Sequence, residues 1–446
     1  MQLVRHFNQF MKDTVNLNQS RINTLDQKAN TIDTFIQNSN TFKDNYKDLF
    51  SQGSYKHQTI IKPPKDNKEF DADLLLELDT FSEWESNPSK YIHELYDIFK
   101  NSDRYKDIVV KNTRCVTLDY AGDFHIDIVP LVKRDGSYYL INKSDNIFEK
   151  TNPIEYTDWL MDKNRYSKYQ LKKVIRLFKY MRDVKQTFTA KSILLNTMLA
   201  NQVNSYDLDT DYRNLPTAFK TIINSLNNYL QANYYMPHIY NPTMPEEDFM
   251  RNWTQDQYSN FRDKIKSLTE KTNEAYNEED QKKSIKKWRK VFGDKFPDFV
   301  RSVKLESVDE NYNASEEFPD NKFSAVSLDY DLKISCTVKG QHGIRDMLLQ
   351  FVQVLFAQKK LEFKVESTNV PEPYEIWWKV KNEGQAAKTA GQLRGFIFKG
   401  NKSHTEPTKF KGSHYVECYI VKNNICVAID RIDVPIEIEN RKFVSN

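Results

Sequence analysis

Three aspartates are the residues whose type and spacing could do chemistry in this chain. Asp71 and Asp73 stand two residues apart in "FDADLLLEL", so in a strand both carboxylates leave the same face. Two such carboxylates repel each other unless water solvates them or a cation sits between them. Asp127 stands in "FHIDIVPLV", an alternating strand pattern whose Ile126 and Ile128 face the other way. An ionised carboxylate in an otherwise apolar strand is costly unless it is paired or bound to metal. Asp71, Asp73 and Asp127 thus make a candidate oxygen-donor triad from two strands, suited to Mg²⁺ or, in its place, Mn²⁺. Two such ions about 4 Å apart activate an attacking hydroxyl and stabilise a leaving pyrophosphate. The competing reading is that Asp71 and Asp73 edge a strand while Asp127 pairs with a lysine. Asp123, beside the "AGD" turn, is the rival third acid.

The elements that must hold these residues follow from pattern. Residues 1–49 read as helical, then Gly53-Ser54 as a turn. "DADLLLELD" reads as a strand, "NPSKYIHELYDIFKN" as a helix, "IVVKNTRCVTLDY" and "FHIDIVPLVKR" as strands. In "QLKKVIRLFKYMRDVK" Leu171, Val174, Ile175, Leu177, Phe178 and Met181 share one helical face, and "SILLNTMLANQV" is a further helix. Such alternation predicts an α/β unit, a mixed sheet with helices packed on it. The chain has 11 glycines; none falls between Ser137 and Phe292, which predicts a mainly helical stretch, and seven fall at or beyond Gly340, among strand-like runs. The acidic run 306–321 separates the two regimes. The expected organisation is one unit over 1–297, a linker over 298–324 and a mainly β domain over 325–446.

With 446 residues, Lys+Arg 65 and Asp+Glu 62, the chain carries too little net charge for a bulk nucleic-acid coat. The four cysteines form no CxxC pair, and no run reaches the length of a signal-peptide core or a membrane span. The expectation is a soluble, cytoplasmic protein with no membrane partner and no obligate nucleic acid.

Gly53-Ser54, Asp71-Ala72-Asp73 and Asp127 together resemble the polymerase-β-like nucleotidyltransferases. The closer resemblance is to the bacterial cGAS/DncV-like enzymes (CD-NTases) of antiphage signalling. "RLFKYMRD", "KSILLN", "HIYNPTMPEEDF" and "IKKWRKVFGDKFP" are similar to that family's later segments, so the likeness spans residues 1–297. The 16 residues between Ser54 and Asp71 exceed the minimal polymerase-β spacing, an insertion this family often has. The resemblance implies that Gly53 and Ser54 bind triphosphate oxygens, that Asp71 and Asp73 hold both metals, and that Asp127 also binds metal and positions the acceptor hydroxyl. It further implies phosphate contacts from Lys179 and Ser192; otherwise Lys179 is a solvated helix lysine. The implied activity joins NTPs (ATP, GTP or others) into a cyclic or short oligonucleotide messenger, which a downstream effector recognises. A terminal transferase acting on RNA or protein, and an inactive nucleotide-binding module, are the alternatives.

Beyond the linker, Trp378, Asn382, Gly384, Arg394, Gly395, Thr408, Gly412, His414, Glu417 and Cys418 resemble the recurring residues of the C-terminal sensor domain that accompanies such enzymes. The alternation in "EIWWKVKN" and "HYVECYIV" suggests a β-sandwich. Asn382, Arg394, His414 and Glu417 are the candidates for a small polar or nucleotide ligand. Otherwise His414, Glu417 and Arg394 form a buried structural network.

Overall fold

A computed structural model describes residues 1–64, 69–120, 124–300, 316–340, 345–352, 354–382, 385–410 and 412–436. The chain divides into two units, Met1–Asp298 and Phe299–Asn446.

The first unit begins with helices α1 (Val4–Phe10) and α2 (Gln19–Gln37), strand β1 (Tyr46–Gln52) and a single helical turn, α3 (Gly53–Lys56). Then come β2 (Phe70–Leu78), α4 (Ser89–Lys100), β3 (Val109–Lys111), β4 (Val116–Tyr120), β5 (Phe124–Arg134), β6 (Ser137–Asn142) and β7 (Ile147–Thr151). The sheet order is β1-β2-β5-β4-β3, with β6 and β7 continuing from β5. β2 and β5 run parallel, whereas β1 on β2 and β4 on β5 are antiparallel. Parallel neighbours need a crossover, and α4 with the β3–β4 hairpin supplies it. On one sheet face Ala72, Leu74, Leu76, Ile126 and Ile128 are buried in a core shared with Ile32 and Ile36 of α2 and Ile92 and Leu95 of α4. The opposite face carries Asp71, Asp73, His125 and Asp127 at one end and the apolar Leu75, Val129 and Leu131 further along.

A second core belongs to the helices α5 (Pro153–Tyr166), α6 (Leu171–Lys185), α7 (Ser192–Ala200), α8 (Leu215–Ala232), α9 (Gln255–Asn277) and α10 (Gln281–Phe292). A small hairpin, β8 (Tyr240–Asn241) and β9 (Met244–Asp248), interrupts them. All six α6 residues expected on one face are buried in this core, together with Phe7 and Phe10 of α1.

Three expectations change. Tyr46–Gln52 is a strand, not the end of a helical region; it is an edge strand with one buried residue, Leu49, so it lacks a hydrophobic alternation to read. "IVVKNTRCVTLDY" is two strands folded back at Asn112, whose amide donates to the Cys115 carbonyl at 3.0 Å. Ser137–Thr151 is a hairpin without an internal glycine: the Asn142 side chain accepts from the Ser144 and Asp145 amides (3.1 and 3.2 Å), and Asn146 takes the positive φ.

The second unit contains α11 (Pro319–Lys322), β10 (Ala325–Val326), β11 (Leu332–Lys339), β12 (Met347–Leu348), β13 (Lys360–Thr368), β14 (Glu375–Lys381), α12 (Gln385–Thr389), β15 (Arg394–Gly400), β16 (Ser403–Pro407), β17 (Gly412–Lys422) and β18 (Ile425–Ile436). They form two sheets, β10-β18-β17-β14-β15 and β12-β11-β13-β16. Cys336 and Phe363 of one sheet share a core with Trp378, Cys418 and Ile420 of the other. Residues 301–315 of the expected linker lie outside the described residues. Its last part is packed onto this unit: the Lys379 ammonium, 2% exposed, lies 2.8 Å from Glu316 and 2.6 Å from Glu417. Glu317 accepts from the Ile397 amide at 2.7 Å, and Phe323 is buried. An acidic residue packs here because a buried lysine supplies its counter-charge, a pairing that local composition does not reveal.

Candidate active site

The β2–β5 register sets Asp73 level with Asp127 and Asp71 level with His125. Period-two alternation puts all four on the polar face, while Ala72, Leu74, Ile126 and Ile128 anchor the other. Asp71 is exposed; Asp73 and Asp127 are half-buried. On β4, Thr117 is level with Asp127, and its hydroxyl donates to the Asp127 carboxylate. Asp123, the rival third acid, lies outside the described residues.

Gln52 pairs with Asp73 at the end of β1, so the chain enters the Gly53–Lys56 turn beside that carboxylate. Gly53 has φ +60°, and a Cβ built on it would stand 2.3 Å from Asp73 Oδ2. Glycine is required twice over, by backbone conformation and by the approach of a carboxylate. His57 N and Thr59 N close the turn onto the carbonyls of Gly53 (3.0 Å) and Ser54 (2.8 Å).

Lys179 is not a surface lysine. It is 4% exposed, and its ammonium donates to the Thr59 carbonyl (3.1 Å) and hydroxyl (3.0 Å). Burial, with Arg182 adding repulsion, brings its pKa down to about 7. Burial raises the Asp73 pKa to about 6, with Asp127 and Asp71 adding repulsion and Lys179 offsetting part of it. Although Asp71 reaches solvent, partial desolvation where it meets the sheet raises its pKa, and Asp127 adds to that. Ser192 opens α7, and among the described residues no hydrogen bond connects it to the acids or the turn.

These carboxylates fit a divalent cation. Desolvated acids on one strand face, crowded by each other's charge, are the oxygen-donor surroundings that hard cations require. Among the described residues, one set of three ligating side chains has its donor atoms within 4.8 Å of one another: Glu69, Asp119 and His125, next to the triad. The His125 ring bridges those two carboxylates, with Nδ1 3.3 Å from Asp119. Sequence reading passed over His125, although its i,i+2 spacing to Asp127 already placed both on one face. It also passed over Thr59, Thr117 and His57, which carry no motif of their own.

The four ligand candidates of the second unit are not brought together by hydrogen bonds among the described residues. Asn382 donates to the Gln392 carbonyl (2.8 Å), Arg394 to Glu406 (2.6 Å) and His414 to the Phe410 carbonyl (2.7 Å). Glu417 stands level with Lys379 across β14–β17 and pairs with it. In this structure each of the four polar groups has an internal partner of its own, set by strand register.

An acid pair on one strand, a third acid level with it on the parallel neighbour, and a glycine turn docked on the pair define a polymerase-β-like nucleotidyltransferase. Residues 1–164 match the Second Messenger Oligonucleotide or Dinucleotide Synthetase domain, and residues 313–437 the Adenylyl/Guanylyl and SMODS C-terminal sensor domain. A cyclic AMP-AMP-AMP synthase from an Acinetobacter species is 24% identical over 298 residues, covering 65% of this chain and 84% of that protein. The structure of Escherichia coli MS115-1 CdnC with ATP aligns with a TM-score of 0.53 at 21% identity, over 66% of this chain and 98% of that one. Vibrio cholerae DncV, a cyclic AMP-GMP synthase, aligns with a TM-score of 0.51 at 15% identity, over 66% and 96%. The chain thus resembles the bacterial cGAS/DncV-like nucleotidyltransferases, with a second-messenger synthetase domain at 1–164 and a C-terminal sensor domain at 313–437. Among the described residues no helix is long and apolar enough to cross a membrane.

Proposed function

We propose that the enzyme joins NTPs into a cyclic or short oligonucleotide second messenger for CBASS-type antiphage defence, working with Mg²⁺ in the cytoplasm. The observation that carries this reading is the docking of the Gly53 turn against Asp73, level with Asp127, which brings a glycine turn beside the three acids. A ribose hydroxyl attacks the α-phosphorus of an NTP; a new P–O bond forms, the α–β bond breaks and pyrophosphate leaves. Asp127, oriented by Thr117, takes the hydroxyl proton. Gly53 and Ser54 grip the triphosphate, and Lys179, beneath Thr59, adds a positive charge at the same place. Ser192 is a further phosphate ligand at the start of α7. Bound at Asp71, Asp73 and Asp127, the divalent metal would neutralise the charge on the transferring phosphoryl group. An effector reads the product, and a small molecule or nucleotide acts on the second unit.

Incubation of the protein with α-labelled NTPs and Mg²⁺, with products resolved before and after phosphatase, tests this. A phosphatase-resistant product is expected, absent from a folded D71N/D73N double variant. Undiminished synthesis by that variant would end the assignment, and label found only on added RNA or on protein would point to a terminal transferase.

A further inference from the structure

His57 lies directly behind the Gly53–Lys56 turn and is 2% exposed. Its backbone amide closes the turn on Gly53, and its Nε2 lies 3.1 Å from the Thr157 hydroxyl on α5. That hydroxyl has one proton, directed to the Pro153 carbonyl at 2.9 Å, with the Gln52 side-chain oxygen at 3.4 Å as the other acceptor. Thr157 therefore accepts from His57, and the ring carries its proton on Nε2. Nδ1 remains as a buried lone pair, with no hydrogen-bond partner among the described residues. Burial, with Lys172, Lys179 and Lys56 nearby, lowers the ring pKa to about 3, so the imidazole is neutral at any working pH.

Other side chains also anchor segment 53–59: the Tyr55 hydroxyl donates to the Asp26 carboxylate of α2, and two ammonium groups of α6 hold its far end. Lys179 holds Thr59, and Lys172 donates to the Gln58 side chain at 3.2 Å. A polyphosphate arriving at the turn competes for both ammonium groups. It has no pull on a neutral imidazole–hydroxyl bond. We infer that His57 is a positioning residue of the nucleotide site, whose Nε2–H bond to Thr157 holds the Gly53–Lys56 turn in its triphosphate-receiving shape while the lysines change partners. This rests on the nucleotidyltransferase reading and adds to it a residue that never touches substrate.

The test is equilibrium binding to the full chain, with Mg²⁺, of a non-hydrolysable ATP or GTP analogue and of the matching monophosphate. H57L and T157V each remove the bond and should weaken triphosphate binding about tenfold, the worth of one hydrogen bond, with monophosphate binding unchanged. The H57L/T157V double variant should be no weaker than either single one. In H57Q the amide nitrogen takes the place of Nε2 and restores affinity to within about twofold; in H57N it takes the place of Nδ1 and does not. If H57L does not fold, T157V and the Gln/Asn comparison carry the test. Wild-type affinity in H57L or T157V, equal rescue by Asn and Gln, or an equal loss for monophosphate overturns the inference. A wild type that binds no triphosphate analogue overturns the nucleotidyltransferase reading, and this inference with it.

Discussion

Gly53→Ala probes whether the Gly53 turn, the proposed phosphate site, sets the position of Asp73, a proposed metal ligand. The added methyl would stand 2.3 Å from Asp73 Oδ2 and 3.3 Å from its Cγ, where ordinary contact begins at 3.4 Å. The backbone must also keep φ +60° with a Cβ present, which costs about 1–2 kcal/mol. Melting of the first unit should fall by about 2–4 °C for each kcal/mol. The clash itself is relieved more easily, because a carboxylate is the free end of a side chain: Asp73 swings away by about 1 Å. A displacement of that size at a reacting centre costs about 10²-fold in rate. The loss should therefore appear mainly in catalysis. Pyrophosphate release and labelled-product formation at saturating metal measure it, with a melt on the same sample. Because G53A acts through Asp73, adding it to D73N should lower activity little further. A folded G53A enzyme within about threefold of wild-type turnover would refute the reasoning.

Without metal, the crowded Asp73 should make stability pH-dependent. Its folded pKa is raised to about 6 from 3.8, so its contribution is fully present below about pH 4 and is lost as pH rises through 6, by up to about 3 kcal/mol. Metal-free melts from pH 5 to 7.5 should show that decline, D73N should flatten it, and Mg²⁺ should reverse it most above pH 6; an identical slope in D73N would exclude Asp73 as its source. Lys179→Met keeps the buried volume but leaves the Thr59 carbonyl and hydroxyl without their donor, so it should destabilise by about 1–3 kcal/mol and weaken NTP binding; unchanged NTP affinity would reduce Lys179 to a structural lysine. In the second unit burial works against the Glu316 charge, yet Lys379 and Lys381 hold its carboxyl well below the usual range. Glu316→Gln should therefore cost about 3 kcal/mol at neutral pH, read as a lower melting temperature of that unit, and the gap to wild type should narrow as acid protonates Glu316; a melt unchanged at pH 7 would show that the pair contributes nothing net.

The catalytic strands were legible because their two faces differ so sharply. Apolar residues at even positions of "FDADLLLEL" and "FHIDIV" specify a core face, and the acids at odd positions specify the other. α6 was legible because its apolar stripe keeps helical period over four turns. β1 was not, since an edge strand with one buried residue has no pattern to read. Resemblance alone set Lys179 apart from other helix lysines; its burial was not legible, because it depends on Thr59, 120 residues earlier, folding over it. Glu316 looked like linker because its partner Lys379 lies 63 residues away in sequence. Local pattern reports which face a residue takes, and long-range pairing of charges leaves no trace in it.

The alternation that builds the sheet also builds the site. Even residues of β2 and β5 bury apolar area in one core, and the odd residues Asp71, Asp73, His125 and Asp127 at the start of both strands stand on the other face. A one-residue slip of either strand would bury its aspartates and expose its leucines or isoleucines, so the core itself specifies the catalytic register. The parallel pairing sets the remaining degree of freedom. With α4 and the β3–β4 hairpin as the crossover, β5 returns in the same direction as β2, and Asp127 arrives level with Asp73. β1, antiparallel on the other side of β2, ends at Gln52 opposite that same Asp73, so the next residue must turn against a carboxylate. Glycine fits there without strain and without displacing Asp73. The triad and the turn are therefore one consequence of one sheet order. The charge crowding it creates at Asp73 works against the ionised carboxylate in the metal-free protein, and a cation bound there as proposed would relieve it.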